Sequence, residues 1–465
     1  MQDANISDDH INKVETIQKQ VEGFYRRKEK VRIFHGNTNT TRSQYKDPKN
    51  LIDLSHLNAI LEINVDERYM IVEPNVSMEA LVDAALEYSL TPLVIPEFPS
   101  ITAGGAVQGG AAESSSFKYG GFSDGCVEYE VILGNGIKVN VSKTQNADLF
   151  EGIPSSYGTV GIITLLKINL TPATPEIHLK YHKVTTYKQA VALVKKLSND
   201  TNLDFIDGIM FSKDLGVIME GAFGPAESLA QSTLHKSTDD WFYLHALNRI
   251  KHSETYEERL PTKDYLFRYD RGAFWVAKHG FSMFHVPFNR FSRWWFSSLF
   301  PTKRLYKFLH GARMSQSYLV QDICLPNKQV ISFMEYNQEN FDIWPLWLCP
   351  IKVTHEEYMS PNYLNTDLVI NVGIWGKLDV KYQRFVERNQ SFEAKVESLG
   401  GRKVLYAHAY YSEADFWDIY DFKRYTKLRN KYNAEVTYPD IYNKTHVAEE
   451  YSPSVLRGLK YLLFK

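Results

Sequence analysis

At 465 residues, 44% of them hydrophobic, the chain is long enough for two domains, or for one domain with a large insertion, around a sizeable core. Its 53 lysines and arginines against 55 acidic residues leave no electrostatic reason to expect nucleic acid as a partner. Cys126, Cys324 and Cys349, odd in number and far apart, exclude a disulfide framework and a CxxC-type metal site, and they suit a reducing compartment.

The amino terminus lacks the basic start and apolar centre of a signal peptide, and no run of about 18 apolar residues occurs. The expectation is an intracellular protein, cytoplasmic or peripheral on the cytoplasmic face of an internal membrane. The first chemical feature is His35-Gly36-Asn37-Thr38-Asn39, a small polar turn after an apolar stretch, with the cation of Arg42 close behind. Residues 61–65 and 69–72 read as strands, and Ser77 caps a helix carrying Met78, Leu81, Val82, Ala85 and Leu86, which makes a β-β-α unit.

Residues 95–126 follow as one loop-forming stretch holding seven glycines with serines and threonines between them. Glycine lets backbone N–H groups turn towards an anion with no side chain in the way, and hydroxyls add uncharged donors. That is the chemistry of a diphosphate cradle, with Thr102, Gly104, Gly105, Gly109, Glu113, Ser114, Ser115, Ser116, Tyr119 and Gly120 as candidates. Residues 128–133 and 137–141 around Gly134-Asn135-Gly136 read as a β-hairpin. A third small-residue turn, with Ser156, Gly158, Thr159 and Gly161, leads into a strand from Ile162 to Leu170 and suits close approach of a flat ring. Neither GxGxxG nor GxxxxGK[ST] is present, which disfavours Rossmann and P-loop cradles.

Two prolines in residues 171–175 suit an inter-domain connection. Thr186 then begins an amphipathic helix, and residues 205–220 are strand-rich. Residues 260–350 are dense in aromatic side chains, including Trp275, Trp294, Trp295, Trp344 and Trp347, which suit either an aromatic core or the lining of a large apolar chamber. Residues 288–309 and 455–465 interleave bulky apolar and cationic side chains, the pattern of a segment lying on a membrane surface. Arg268, Asp270 and Arg271 form a charged cluster that reads either as a local ion-pair network or as an anchor for a polar substrate end or a dinucleotide phosphate.

The three turns and their spacing from the β-β-α unit resemble the FAD-binding domain of the vanillyl alcohol oxidase and p-cresol methylhydroxylase superfamily. Closer still, Glu113-Ser114-Ser115-Ser116-x-Lys118-Tyr119-Gly120, Asp148-Leu149-Phe150, Gly158-Thr159-x-Gly161, Val320-Gln321-Asp322 and Trp344-Pro345-Leu346-Trp347-Leu348-Cys349-Pro350 resemble the Δ24-sterol reductase (Diminuto-like) family. So do Tyr425-x-Lys427-Leu428-Arg429-x-Lys431 and Pro439-x-x-Tyr442. Two features depart from that pattern. The spanning segment expected ahead of the flavin domain is not in this sequence, and residues 264–272 differ from the expected His- and Arg-rich stretch.

The resemblance implies an α+β protein: a two-lobed FAD-binding domain of p-cresol methylhydroxylase type over 1–173, an antiparallel-sheet substrate domain with helices over 174–403, and a segment 404–465 returning to the flavin domain. It implies non-covalent FAD, since Asn37 and Thr38 stand where an attaching histidine would be expected, and NADPH as donor for reducing a double bond in a sterol or other isoprenoid. The returning segment would bring Lys427 to the flavin edge that becomes negative on reduction. Asp322, Tyr318 and His408 are the candidates for the proton donor that an unactivated alkene requires. The alternatives are a flavin oxidase or dehydrogenase taking hydride from an alcohol, and a lipid-binding protein with a vestigial cofactor site. Oligomeric state is open.

Overall fold

The computed structural model describes residues 6–36, 39–42, 48–224 and 228–464. Two antiparallel sheets organise the chain. The first has Ile60–Asn64, Tyr69–Val72, Ile162–Pro172, Cys126–Ile132 and Lys138–Ser142 in that spatial order, with Leu90–Pro92 pairing the far end of Ile162–Pro172. Its long central strand is apolar and buried almost throughout, as a strand covered on both faces must be. The chain leaves this sheet after Pro172 and enters the second at Glu176.

The second sheet has eight strands in the order Thr255–Pro261, Glu176–Val184, Leu215–Phe223, Phe205–Ser212, Leu346–Ile351, Val369–Lys377, Tyr318–Pro326 and Arg402–Lys403. The two-residue period divides its faces. Ile206, Met210, Leu346, Leu348, Val372, Ile374, Leu319 and Ile323 pack under the helices Tyr187–Leu197, Val330–Asn340 and Tyr382–Ser398. Their neighbours Phe205, Ile209, Trp347, Cys349, Trp375 and Cys324 face the opposite way, into a core shared with the first sheet. One face therefore holds the domain together, and the other builds the chamber between the lobes.

The structure adds a helix, Asp8–Arg27, that the strand-centred reading of the amino terminus passes over. Ser7 accepts from the His10 N–H as its cap, and His10, Val14, Ile17, Val21 and Phe24 form one buried stripe at helical spacing. His10 is clamped between Glu73 (2.8 Å) and Glu130 (3.3 Å) of the first sheet, which anchors the helix there.

Residues 95–126 are not one loop. Thr102 accepts from the Gly105 N–H and starts a helix over Ala103–Gly109, closed by Gly110 in the left-handed region (φ 67°). Glycine is needed at 104 for packing, since a Cβ there would stand 2.7 Å from Pro74 Cβ. The aromatic stretch 260–350 serves three ends. Trp275 is core, Phe274, Phe281 and Trp347 line the chamber, and Trp294 and Trp295 lie on the surface.

Candidate active site

A cavity of about 1640 Å³ lies between the lobes, beyond the roughly 300–1,000 Å³ of ordinary small-ligand pockets and so roomy enough for a large cofactor together with a second ligand. One wall is made of small residues: Thr102, Gly104, Gly105, Gly109, Gly110 and Ala111. Gln108 ties this wall to the third turn, its Oε1 accepting from Ser156 Oγ (2.8 Å) and from the Gly158 N–H (2.7 Å), while Tyr157 donates to the Gly109 carbonyl (3.0 Å). A Cβ built on Gly109 would meet nothing within 4 Å and would project into open space. Among the described residues, Thr41 Oγ1 and Asn75 Oδ1 are buried polar atoms of lining residues that have no partner. Bare backbone, unspent donors and acceptors, and the adjacent cations Arg42 and Lys444 fit a dinucleotide. Burial pulls the Arg42 guanidinium down to about 10, still cationic at neutral pH.

Of the residues expected to contact cofactor, His35, Asn39, Thr102, Gly104, Gly105, Gly109 and Gly158 line this cavity. Asn37 and Thr38 lie outside the described residues. The others are supports behind the lining. Glu113 is buried in an ion pair with Arg268 (2.8 Å) and accepts from the Ser114 hydroxyl, so its carboxylate faces the lobe interface. Ser115 donates to the Leu93 carbonyl (2.9 Å), and Ser116 Oγ accepts from the Glu113 N–H (2.9 Å). Tyr119 lies in a separate crevice beside Ser115 and Asp204, Gly120 packs on Asp124, and Gly36 sits in a left-handed turn against Ser55. Ser156 braces Gln108, Thr159 accepts from Tyr425, Gly161 packs on Val131, and Ile162 is buried beneath the amino-terminal helix.

Lys427 is corrected outright: it is exposed on the outer face of the helix Phe422–Lys431 and is no part of the cavity. The inner face carries Tyr425, whose hydroxyl donates to Thr159 Oγ1 (2.8 Å), and Arg429, which donates to the carbonyls of Thr159, Pro439 (3.0 Å) and Tyr438 (2.8 Å). The cation that this segment brings to the lining is Lys444, which donates to the Tyr157 carbonyl and lies beside Gly158. Helical periodicity separates the faces of 422–431, but a lysine seventeen positions beyond Lys427 was not legible without the chain path between them.

On the opposite wall Asp322 faces the cavity, 8% exposed. Its carboxylate accepts from Tyr406 Oη (2.6 Å) and Asn371 Nδ2 (2.9 Å), and Trp375 Nε1 donates to Tyr406 (3.1 Å). Burial pushes Asp322 up to about 6, against the pull of these donors. Tyr318 also lines the cavity, but burial raises its phenol further, which makes a weak acid weaker. His408 is behind the wall among Tyr410 and Tyr451, and burial beside Arg42 and Lys403 pushes it down to about 3. It is neutral at working pH and holds no proton of useful acidity. Sequence reasoning missed Tyr406, Asn371 and Glu97. Glu97, in the loop before Thr102, shows its carboxyl to the cavity and is pushed up to about 8 by burial.

The charged cluster at 268–271 does not line the cavity. Arg268 bridges Glu113 and Asp207 (2.9 Å), Asp270 accepts from the Thr302 N–H (3.0 Å), and Arg271 donates to the carbonyls of Leu234 (3.1 Å) and Lys236 (2.7 Å).

Residues 10–142 match the family described as "FAD binding domain". The chain is 29% identical over 449 residues to the Delta(24)-sterol reductase of Homo sapiens, covering 94% of this chain and 86% of that protein. It is 27% identical over 467 residues to the Delta(24)-sterol reductase homolog of Caenorhabditis elegans, covering 94% and 87%. With the Delta(24)-sterol reductase of Pisum sativum it shares 28% identity over 441 residues, 84% of this chain and 76% of the other. A glycine-walled cavity beneath an FAD-binding domain of p-cresol methylhydroxylase type, in an α+β chain, defines an FAD-dependent oxidoreductase. Within that class the chain resembles the Δ24-sterol reductase family along nearly its whole length.

Proposed function

We propose that the protein reduces a carbon–carbon double bond in the side chain of a sterol or other isoprenoid, with NADPH as electron donor. The observation that carries this reading is a single cavity in which the glycine wall of the cofactor lobe faces an apolar chamber holding Glu97 and Asp322. The similarity to Delta(24)-sterol reductases of animals and plants supports the substrate class. FAD, when bound, supplies hydride chemistry at its redox ring. An isolated alkene accepts hydride poorly, so the protein must deliver a proton to one carbon as hydride reaches the other, and must keep water from the cation-like centre between. Phe274, Phe281, Trp347 and Trp375 exclude water. Anaerobic mixing tests the reading: NADPH bleaches the yellow flavin, and a Δ24-unsaturated sterol restores the colour. Bleaching by an alcohol alone, with peroxide formed on re-aeration, would assign an oxidase instead.

Asp322 acts here as a positioning residue. Above about pH 6 its carboxylate fixes the Tyr406 hydroxyl at the chamber wall, and protonation removes the charge that holds it. The expected result for Asp322→Asn is a roughly tenfold to hundredfold slower substrate reduction, the range a displaced wall produces, together with loss of the acid limb near pH 6. An unchanged rate and an unchanged profile would remove Asp322 from the reaction.

The same reading puts the chain peripherally on an internal membrane, on its cytoplasmic face, a setting that suits three buried free cysteines. Phe284, Phe291, Trp294, Trp295, Leu299 and Leu456 are exposed together with the cations of Arg290, Lys303, Arg304 and Lys460. Phe284 and Leu299 are also cavity-lining, so the apolar surface is continuous with the cavity that a lipid would enter. Among the described residues no helix is long and apolar enough to cross a membrane. Flotation with vesicles containing anionic lipid is expected for the native chain and is expected to fall severalfold for Trp294→Ser/Trp295→Ser, whose rings are surface-exposed. Equal flotation of both would sink the membrane assignment.

A further inference from the structure

Among the described residues three carboxyls line the cavity: Asp322, Glu97 and Glu449, the last exposed. An acid that protonates an alkene must keep its proton at neutral pH and must have that proton free to give. Asp322 fails on the second count, because donors from Tyr406 and Asn371 occupy its oxygens and favour its ionised form. Glu97 meets both. Its own backbone N–H donates to its carboxyl, no salt bridge or hydrogen bond from another side chain reaches it from the described residues, and Phe98, Ile101, Phe274 and Tyr306 share the cavity lining with it. It stands on the cofactor lobe, five positions before the Thr102 cap of the glycine helix, so it belongs to the same wall as the cradle.

We infer that Glu97 is the proton donor of the reaction, a role that rests on the reading of the protein as an alkene reductase. Its carboxyl O–H breaks as the new C–H bond forms at one alkene carbon; reduced FAD, when bound, would supply the hydride for the other. Glu97 is left as carboxylate and regains its proton from water after product leaves. The charged groups acting on it are consistent with this cycle. The carboxylates of Glu113 and Asp322 oppose its ionisation, while its own backbone N–H and Arg268, already committed to Glu113 and Asp207, favour it less than burial opposes it. Tyr306 lines the same cavity as the two carboxyls.

The test starts from protein whose flavin has been reduced with dithionite, and it follows the single-turnover reduction of a Δ24-unsaturated sterol. Glu97→Gln is expected to slow this step by about a hundredfold or more, the span general acids commonly supply, and Glu97→Asp to recover part of it. The native rate is expected to fall as pH rises through about 8, with that limb absent in Glu97→Gln. Infrared difference spectra of native against Glu97→Gln protein at pH 7 supply a readout independent of turnover: a protonated-carboxyl band that disappears with the substitution. A native rate and pH profile in Glu97→Gln, or no such band, overturns the assignment. Native protein that shows the band but reduces no alkene overturns the reading of function while leaving Glu97 a protonated cavity acid, and with it removes the donor role.

Discussion

Replacing Arg268 with methionine is expected to lower stability by about 3–5 kcal/mol, because removing one partner strands buried charge without compensation. The Arg268 side chain is fully buried between Glu113 of the flavin lobe and Asp207 of the substrate sheet. Its guanidinium also lies over the rings of Tyr265 (4.0 Å) and Tyr269 (4.6 Å). Burial already pushes Glu113 upward, and Arg268 is the largest influence holding it down. Without Arg268 the carboxyl takes up a proton, and the lobes lose the ion that joins them. Asp207 also accepts from Tyr269 (2.6 Å) and from Trp347 (3.1 Å), a cavity wall, so the damage reaches the active site. The measurement is the thermal unfolding midpoint with flavin release followed in parallel. Arg268→Met/Glu113→Gln/Asp207→Asn, which removes all three charges, should recover most of the loss. A single variant as stable as the native chain would show that the bridge does not join the lobes.

Substituting Gly109 with phenylalanine is expected to leave the fold intact and abolish cofactor retention. The added Cβ meets no neighbour within 4 Å, and Gly109 closes a helix in which glycine costs about 1 kcal/mol relative to alanine, so the folded chain tolerates a side chain there. That side chain would enter the cavity beside Gly105 and Gly110. Overpacking of about 1–3 kcal/mol corresponds to roughly tenfold weaker binding or more, and the protein should purify colourless with a native unfolding midpoint. Yellow protein with unchanged FAD affinity would place the cofactor elsewhere.

Much of the architecture follows from short-range rules. The short apolar runs that make strands of 69–72 and 162–170, the Ser77 and Thr186 caps and the Gly134-Asn135-Gly136 turn are local choices, and the chain adopts them as local physics requires. The clustering of glycines at 104, 105 and 109 marks the cofactor wall, because only an absent side chain lets backbone approach a ligand. The helix Asp8–Arg27 was equally available in the spacing of Val14, Ile17, Val21 and Phe24, though its many charges disguise the stripe.

Which polar residues face the cavity is settled by long-range packing, and local pattern carries no record of it. Glu113 and Glu97 are both acids beside the glycine stretch, yet one meets Arg268 across the lobe interface and the other lines the cavity with no ion-pair partner among the described residues. Lys427 and Lys444 belong to the same returning segment, yet the first lies on the exposed face of its helix and the second at the lining. His408 and Asp322 differ in the same way: burial beside Arg42 and Lys403 leaves the histidine neutral behind the wall, while the aspartate lines the cavity. Composition and periodicity specify how each segment folds; the depth of burial and the charges gathered around a group, which set its proton affinity, exist only once distant segments have met.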